Sequence, residues 1–200
     1  HVEDEFTHHL ERIGHLERYR SDLNRRAGGG DNTPTFLAEP DTVDWLTCER
    51  GIEFLTRAND TRPFFLWLSF CNPHPRFDPV VEYLDAYADV QFPVPSVPGD
   101  GFDRSAYQRI ARAYAALVTQ LDGYIGRVLE ALESAGIADT TLVVFTADHG
   151  ELLGSHGRDG KTYPFDASAR VPFLASHPQI VRPGDYTAPI EITDTAATFL

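Results

Sequence analysis

Thirty acidic residues against seventeen basic ones give this 200-residue chain a formal charge of -13, a field that works against nucleic acid and against anionic membrane, so neither is expected as a partner. An apolar share of 42% suffices for one sizeable core, and no apolar run reaches the length that spans a bilayer. Two cysteines, Cys48 and Cys71, make neither a disulfide framework nor a four-ligand zinc site, and they leave the compartment open.

The chain opens on His1 and contains no Met, which suggests a piece of a longer protein. Over residues 1–26 the apolar positions Leu10, Ile13, Leu16, Tyr19 and Leu23 predict one thinly amphipathic helix that needs a partner to stay folded. His8, His9 and His15 read as solvated helix surface, because no carboxylate or Cys stands at ligand spacing to them. A glycine-rich break over 27–34 follows. Asp41 or Thr42 is suited to cap a helix running to about Ala58, which the turn formers at 59–63 terminate.

Residues 64–70, Phe-Phe-Leu-Trp-Leu-Ser-Phe, read as a strand buried on both faces. It leads into Cys71-Asn-Pro-His-Pro-Arg-Phe-Asp-Pro79, where three prolines hold the backbone extended and His74 projects from a stiff loop. A short helix near 80–87 and an extended proline-rich linker at 92–99 come next. Between 103 and 135 an apolar stripe (Ile110, Tyr114, Leu117, Val118, Leu121, Ile125, Val128, Leu129, Leu132) predicts one long helix with Gly136 at its end. Asp122, at the margin of that stripe, reads as a structural hydrogen-bond acceptor. A second buried strand is predicted at 142–145 and a third at 170–175, and 194–200 reads as a helix barely begun.

Asp148 and His149 stand just past the carboxyl end of the 142–145 strand, where open α/β sheets place their ligands. Adjacent residues of a strand point to opposite faces, so the two side chains converge only if the backbone leaves the pleat, and Gly150 permits that turn. An oxygen and a nitrogen donor side by side suit a divalent metal. The plainer alternative is an Asp capping the next turn beside a surface His. Beyond them a polar loop with Gly154, Gly157 and Gly160 leads to Lys161.

Taken together, the segments Pro63 to Pro75, Leu121-Asp-Gly-Tyr-Ile-Gly-Arg-Val-Leu-Glu-Ala-Leu132, Phe145-Thr-Ala-Asp-His-Gly-Glu151, and Gly160-Lys161 through Ser168-Ala-Arg-Val-Pro172 resemble the sulfatase family of the alkaline phosphatase superfamily. The match runs in order over about residues 40–200 and is most similar to the bacterial branch of phosphonate monoester hydrolases and choline-sulfatase-like enzymes. The resemblance implies an α/β fold with a mixed, mostly parallel sheet flanked by helices, alkaline phosphatase-like and incomplete at both ends. Residues 1–200 would form part of one catalytic domain, with 1–40 a peripheral excursion and 41–200 the core segment.

It further implies hydrolysis of a small anionic sulfate ester with a single divalent metal, calcium or else manganese, iron or zinc. Asp148 and His149 would be two metal ligands. Lys161 would contact an oxygen of the anion, and His74 would protonate the leaving group or help to hold the anion. The alternatives are a phosphonate monoester or phosphodiester hydrolase of the same superfamily, or a non-catalytic module with a degenerate metal site. The family's Cys/Ser-x-Pro-Ser/Ala-Arg nucleophile motif, its acidic metal-ligand pair and its Lys-x-His are absent. Cys71-Asn-Pro-His-Pro-Arg76 imitates the first but lacks the small residue after Pro and sets Arg one position late. The chain alone is therefore expected to be inactive, to bind metal weakly, and to self-associate through an exposed sheet edge.

Overall fold

The computed structural model describes residues 2–26, 32–58 and 62–199. Residues 27–31 of the expected glycine-rich break, the turn residues 59–61 and Leu200 of the expected last helix lie outside the described residues.

Two helices, α1 (Val2–Arg12) and α2 (Leu16–Arg26), stand where one was expected. Gly14 takes φ 74°, its N–H donates to Glu11 O at 3.0 Å, and the N–H of His15 reaches Leu10 O at 2.8 Å. This paired closure, which a residue without Cβ adopts at no steric cost, ends α1 and turns the chain back. The turn folds Phe6 and Leu10 against Leu37, with Ile13, Leu16 and Tyr19 around them. His9 is not solvated surface: its Nε2 is 2.7 Å from Asp41 Oδ1, a carboxylate 32 residues further along the chain. His15 stands edge-on to Phe36 with ring centres 5.7 Å apart.

Helix α3 (Val43–Arg57) begins at Thr42, whose hydroxyl oxygen accepts from Trp45 N at 3.4 Å. A short α4 (Val81–Asp85) precedes α5 (Arg104–Ser134), 31 residues capped by Asp103, which accepts from Ser105 N at 2.8 Å and Ala106 N at 3.0 Å. At 1.5 Å per residue α5 is about 46 Å long, and it ends where Ile137 N returns to Leu132 O at 3.2 Å around Gly136, as expected.

Helices α3 and α5 pack along their length, and Cys48, Leu55 and Tyr124 are buried between them. The buried line of α5 runs through Ala113, Ala116, Leu117, Gln120 and Tyr124, while Val118 and Leu129 of the expected stripe are exposed. Small residues set this line, because they admit the neighbouring backbone closely. Gln120 then makes up for its polarity: Oε1 accepts from Val80 N at 3.3 Å and Nε2 donates to Tyr124 Oη at 2.7 Å. Asp122 is exposed and points away from this line.

The sheet is small and antiparallel. Strand β1 (Val143–Thr146) pairs with β2 (Phe173–Ser176), Val143 opposite Ser176 and Thr146 opposite Phe173. Between them lies a single helical turn, α6 (Asp166–Ala169), and α7 (Thr193–Phe199) closes the described chain. The mostly parallel sheet that was expected is not what the described residues form. Residues 64–70, expected as a strand covered on both sides, carry no ladder, and their burial alternates residue by residue as in an extended chain. One side lies on α3, with Phe64 edge-on to Phe54 at 5.5 Å, and the other leaves Phe65 and Trp67 about three-quarters exposed, at 74% and 75%. A doubly covered strand needs paired neighbours and a second layer, and among the described residues this segment has only α3.

The far end of the 71–80 loop is tied down by Phe77, buried against Ala113 and Leu117, and by Asp78. Burial pushes the Asp78 carboxyl up to about 6, although Arg26 and Arg76 lie 3.7 and 3.9 Å away. A carboxyl whose folded value lies above its unfolded value of about 3.9 contributes stability that is complete below about pH 4 and is lost as the pH rises through about 6. Taking the chain from pH 7 to pH 5 is therefore expected to stabilise it by about 1 kcal/mol more than it stabilises Asp78→Asn. Urea unfolding of both proteins at the two pH values checks this, and the same pH response in both would contradict it.

Candidate active site

Strand β1 delivers Asp148 and His149 to its carboxyl end. Asp148 Oδ1 accepts from the backbone N–H of His149 at 2.9 Å, which turns the carboxylate toward the ring, with Oδ2 3.5 Å from His149 Nε2. His149 Nδ1 lies 2.8 Å from its neighbour's carbonyl, Gly150 O. A carbonyl only accepts, so Nδ1 carries a proton, and Nε2 is the ring nitrogen on the side of the Asp148 carboxylate. The Asp148 side chain is 87% exposed and that of His149 is 34% exposed.

Gly150 serves the site in another way than by loosening the turn. Its N–H donates to Ser168 O at 2.8 Å, and a Cβ placed on it would meet Ala167 O at 2.1 Å. The residue is small so that the backbone leaving β1 can lie directly on α6. That contact and the β1–β2 ladder hold the same corner from two sides.

The loop that follows returns on itself. Leu152, buried, donates from its N–H to Gly160 O at 2.8 Å, and Glu151 Oε1 accepts from the N–H groups of Leu153 and Gly160. Lys161 therefore follows directly on a loop end that is tied back to Glu151 and Leu152. It sits between Gly160 at φ 78° and Thr162 at φ 84°. A β-branched residue in the left-handed region is strained, and such strain gathers where a side chain must be aimed. Within the loop, His156 stacks on Phe165 at 3.8 Å, and its backbone N–H reaches Val97 O at 2.6 Å.

His74 arrives from the 71–79 loop. Its N–H donates to Cys71 O at 2.9 Å, and its Nδ1 lies 2.6 Å from Pro75 O, so again the proton is on Nδ1 and the acceptor is Nε2. The Lys161 ammonium donates to that Nε2 at 3.1 Å, across 87 residues of sequence. Beneath the loop lies Asp44, fully buried on the first turn of α3, whose two oxygens accept from Cys71 N at 2.7 Å and Asn72 N at 2.9 Å. Burial raises the Asp44 carboxyl above its ordinary range, and the two N–H donors pull it back down.

The four residues singled out from sequence thus form two couples, His74 with Lys161 and Asp148 with His149, joined by the 151–160 loop. Among the described residues no third His, Cys, Asp or Glu joins the second couple to complete a metal cage. Two surface hollows lie elsewhere, beside Arg50 and Phe54 of α3 and along Arg104 and Arg109 of α5.

The sulfatase family model matches residues 5–200. The chain belongs to the sulfatase family. It is 34% identical to the arylsulfatase of Clostridium perfringens over 68% of its own length and 32% of that protein's. To the choline-sulfatase of Rhizobium meliloti it is 32% identical over 92% of its own length and 40% of that protein's. The phosphonate monoester hydrolase of Silicibacter pomeroyi superposes with a TM-score of 0.67 at 26% identity, over 74% of this chain and 35% of that one. The phosphonate monoester hydrolase of Agrobacterium radiobacter, at 21% identity and a TM-score of 0.75 over 87% of this chain and 41% of that one, shares the fold. This sulfatase-family chain spans roughly a third to two-fifths of the length of the curated relatives it matches.

Two residues that organise this sulfatase-family site escaped the sequence reading. Asp44 looks like any acid in the first turn of a helix, and Glu151 like one more charge in a polar loop. Each works by accepting backbone N–H groups, and sequence spacing carries no sign of that.

Proposed function

We propose that this chain supplies part of the active site of a hydrolase acting on sulfate esters. The observation that carries the proposal is the Lys161 to His74 contact at 3.1 Å, which sets an amine and an imidazole on one point, with Lys161 following the loop that leaves the Asp148 and His149 couple. In a chain of formal charge -13, a tetrahedral anion needs such a local reversal of field.

The donor set fits two of the ligands of a divalent cation. Asp148 offers an exposed carboxylate, and His149 offers an Nε2 lone pair whose direction the Gly150 carbonyl fixes. A bound cation would supply charge to offset that of the ester. Lys161 would hold a non-bridging oxygen. His74, once Nε2 carries a proton, would hand it to the bridging oxygen as the ester bond breaks, so that the alcohol leaves neutral while Nδ1–H stays on Pro75 O. The nucleophile would come from outside these 200 residues, since no Cys/Ser-x-Pro-Ser/Ala-Arg motif occurs among them.

A phosphonate ester presents the same tetrahedral anion, and the likeness to the phosphonate monoester hydrolase of Silicibacter pomeroyi favours this as the second reading. Assays of the full-length protein on 4-nitrophenyl sulfate, a phosphate diester and a phosphonate monoester separate the two. The sulfate is expected to show the highest kcat/KM, and Lys161→Ala is expected to lower it about 10²- to 10³-fold, the usual effect of removing one fixed donor to a developing anion. A higher kcat/KM on the phosphonate would install the second reading, and no turnover of any ester would leave a non-catalytic module. For the metal, calorimetric titration of calcium or manganese into the 200-residue chain is expected to give a dissociation constant above micromolar, because two ligands rarely suffice. Submicromolar affinity would contradict the half-site.

A further inference from the structure

Among the described residues Asp44 is the one fully buried carboxylate, and the proposed chemistry does not use it. It is 0% exposed, and among the described residues it makes no ion pair. Its first-turn position on α3 does not explain it, because that helix is already capped by Thr42. What it holds is a loop 27 residues further along: both oxygens are occupied by the consecutive N–H groups of Cys71 and Asn72. Cys71 in turn accepts from His74 N at 2.9 Å. The path from the helix to the imidazole is therefore two hydrogen bonds deep.

The platform under it is rigid. Helix α3 is locked to α5 by Cys48 and Tyr124, both buried, by Trp45 edge-on to Tyr124 at 5.9 Å, and by Arg127 over the Trp45 ring at 4.2 Å. A buried carboxylate without a cation is expensive, and isosteric neutral replacements are commonly tolerated or stabilising. Two parallel acceptors aimed at two successive amides are what a carboxylate supplies and an amide side chain cannot, since Asn has one acceptor oxygen and turns its NH₂ toward the other donor.

We propose that Asp44 is a positioning residue: its carboxylate sets the 71–75 loop so that His74 Nε2 meets Lys161 and the leaving-group oxygen. The inference rests on the acid role given to His74 above. In the full-length protein, kcat/KM is measured for two esters, one with a nitrophenyl leaving group that departs without a proton and one with an alkyl group that needs it. Asp44→Asn is expected to lower the alkyl value about 100-fold and the nitrophenyl value less than about threefold, the imprint of a misplaced general acid. His74→Ala run beside it is expected to give the same pattern, more strongly. A merely structural role would lower both esters together through the amount of folded enzyme, which the thermal midpoint reports.

Equal losses on both esters in Asp44→Asn, with the pattern intact in His74→Ala, overturn the positioning role alone. Absence of the pattern in His74→Ala overturns the acid role and the inference with it. If Asp44→Asn does not fold, Asp44→Glu, which keeps two acceptors on a longer stem, is read by the same ratio. A selective alkyl loss in it sustains the proposal, and equal losses overturn it.

Discussion

Lys161 meets His74 only because two loops from distant parts of the chain are each locked before they reach one another. The 151–160 loop is closed by Glu151 and the Leu152 to Gly160 bond, and the 71–79 loop is held from below by Asp44. Both clamps consist of a carboxylate accepting two backbone N–H groups. A carboxylate in that position fixes backbone and leaves the functional side chain free to face solvent or substrate, which a direct ion pair to Lys161 or His74 would not. The site is thus built on acids that never touch it.

The same economy of charge explains how so acidic a chain would accept an anion. Among the described residues several arginines are spent on ion pairs: Arg50 with Glu5 and Glu53, Arg57 with Glu53, Arg127 with Glu49, Arg26 with Asp22. Lys161 differs in that its bond goes to an imidazole nitrogen and not to a carboxylate. Exposed pairs of the first kind contribute little stability, whereas a cation not spent on a carboxylate would be available to an anionic ligand.

The sequence foretold the elements whose signals are local and periodic. Thr42 and Gly136 bound α3 and α5 where capping chemistry puts them, and residues 142–145 and 170–175 overlap β1 and β2, although the burial on both faces expected of 142–145 is not met: β1 is half-buried throughout, and β2 is exposed beyond Phe173. It misled where a partner lies far along the chain. Local spacing did not show the Asp41 that pairs with His9, and the apolar periodicity of residues 1–26 ran over the purely local closure at Gly14 that splits the first helix. The apolar stripe of α5 overlooked Ala113, Ala116 and Gln120, because close backbone approach rewards small or matched polar side chains as much as apolar ones. Residues 64–70 have the composition of a doubly covered strand, yet covering is a property of neighbours, and here one side is bare. The candidate residues stand out in the sequence through a family resemblance; the carboxylates that hold their loops do not, since any acid in the sequence could have played that part.

The central claim, that His74 and Lys161 act on one anion, is tested most directly by a double-mutant cycle on kcat/KM for an aryl sulfate in the full-length protein. With both side chains on the same group, His74→Ala and Lys161→Ala are expected to be non-additive, with a coupling of about 1–3 kcal/mol and a double variant little worse than the poorer single one. Strictly additive losses, or full activity in either single variant, would contradict the account.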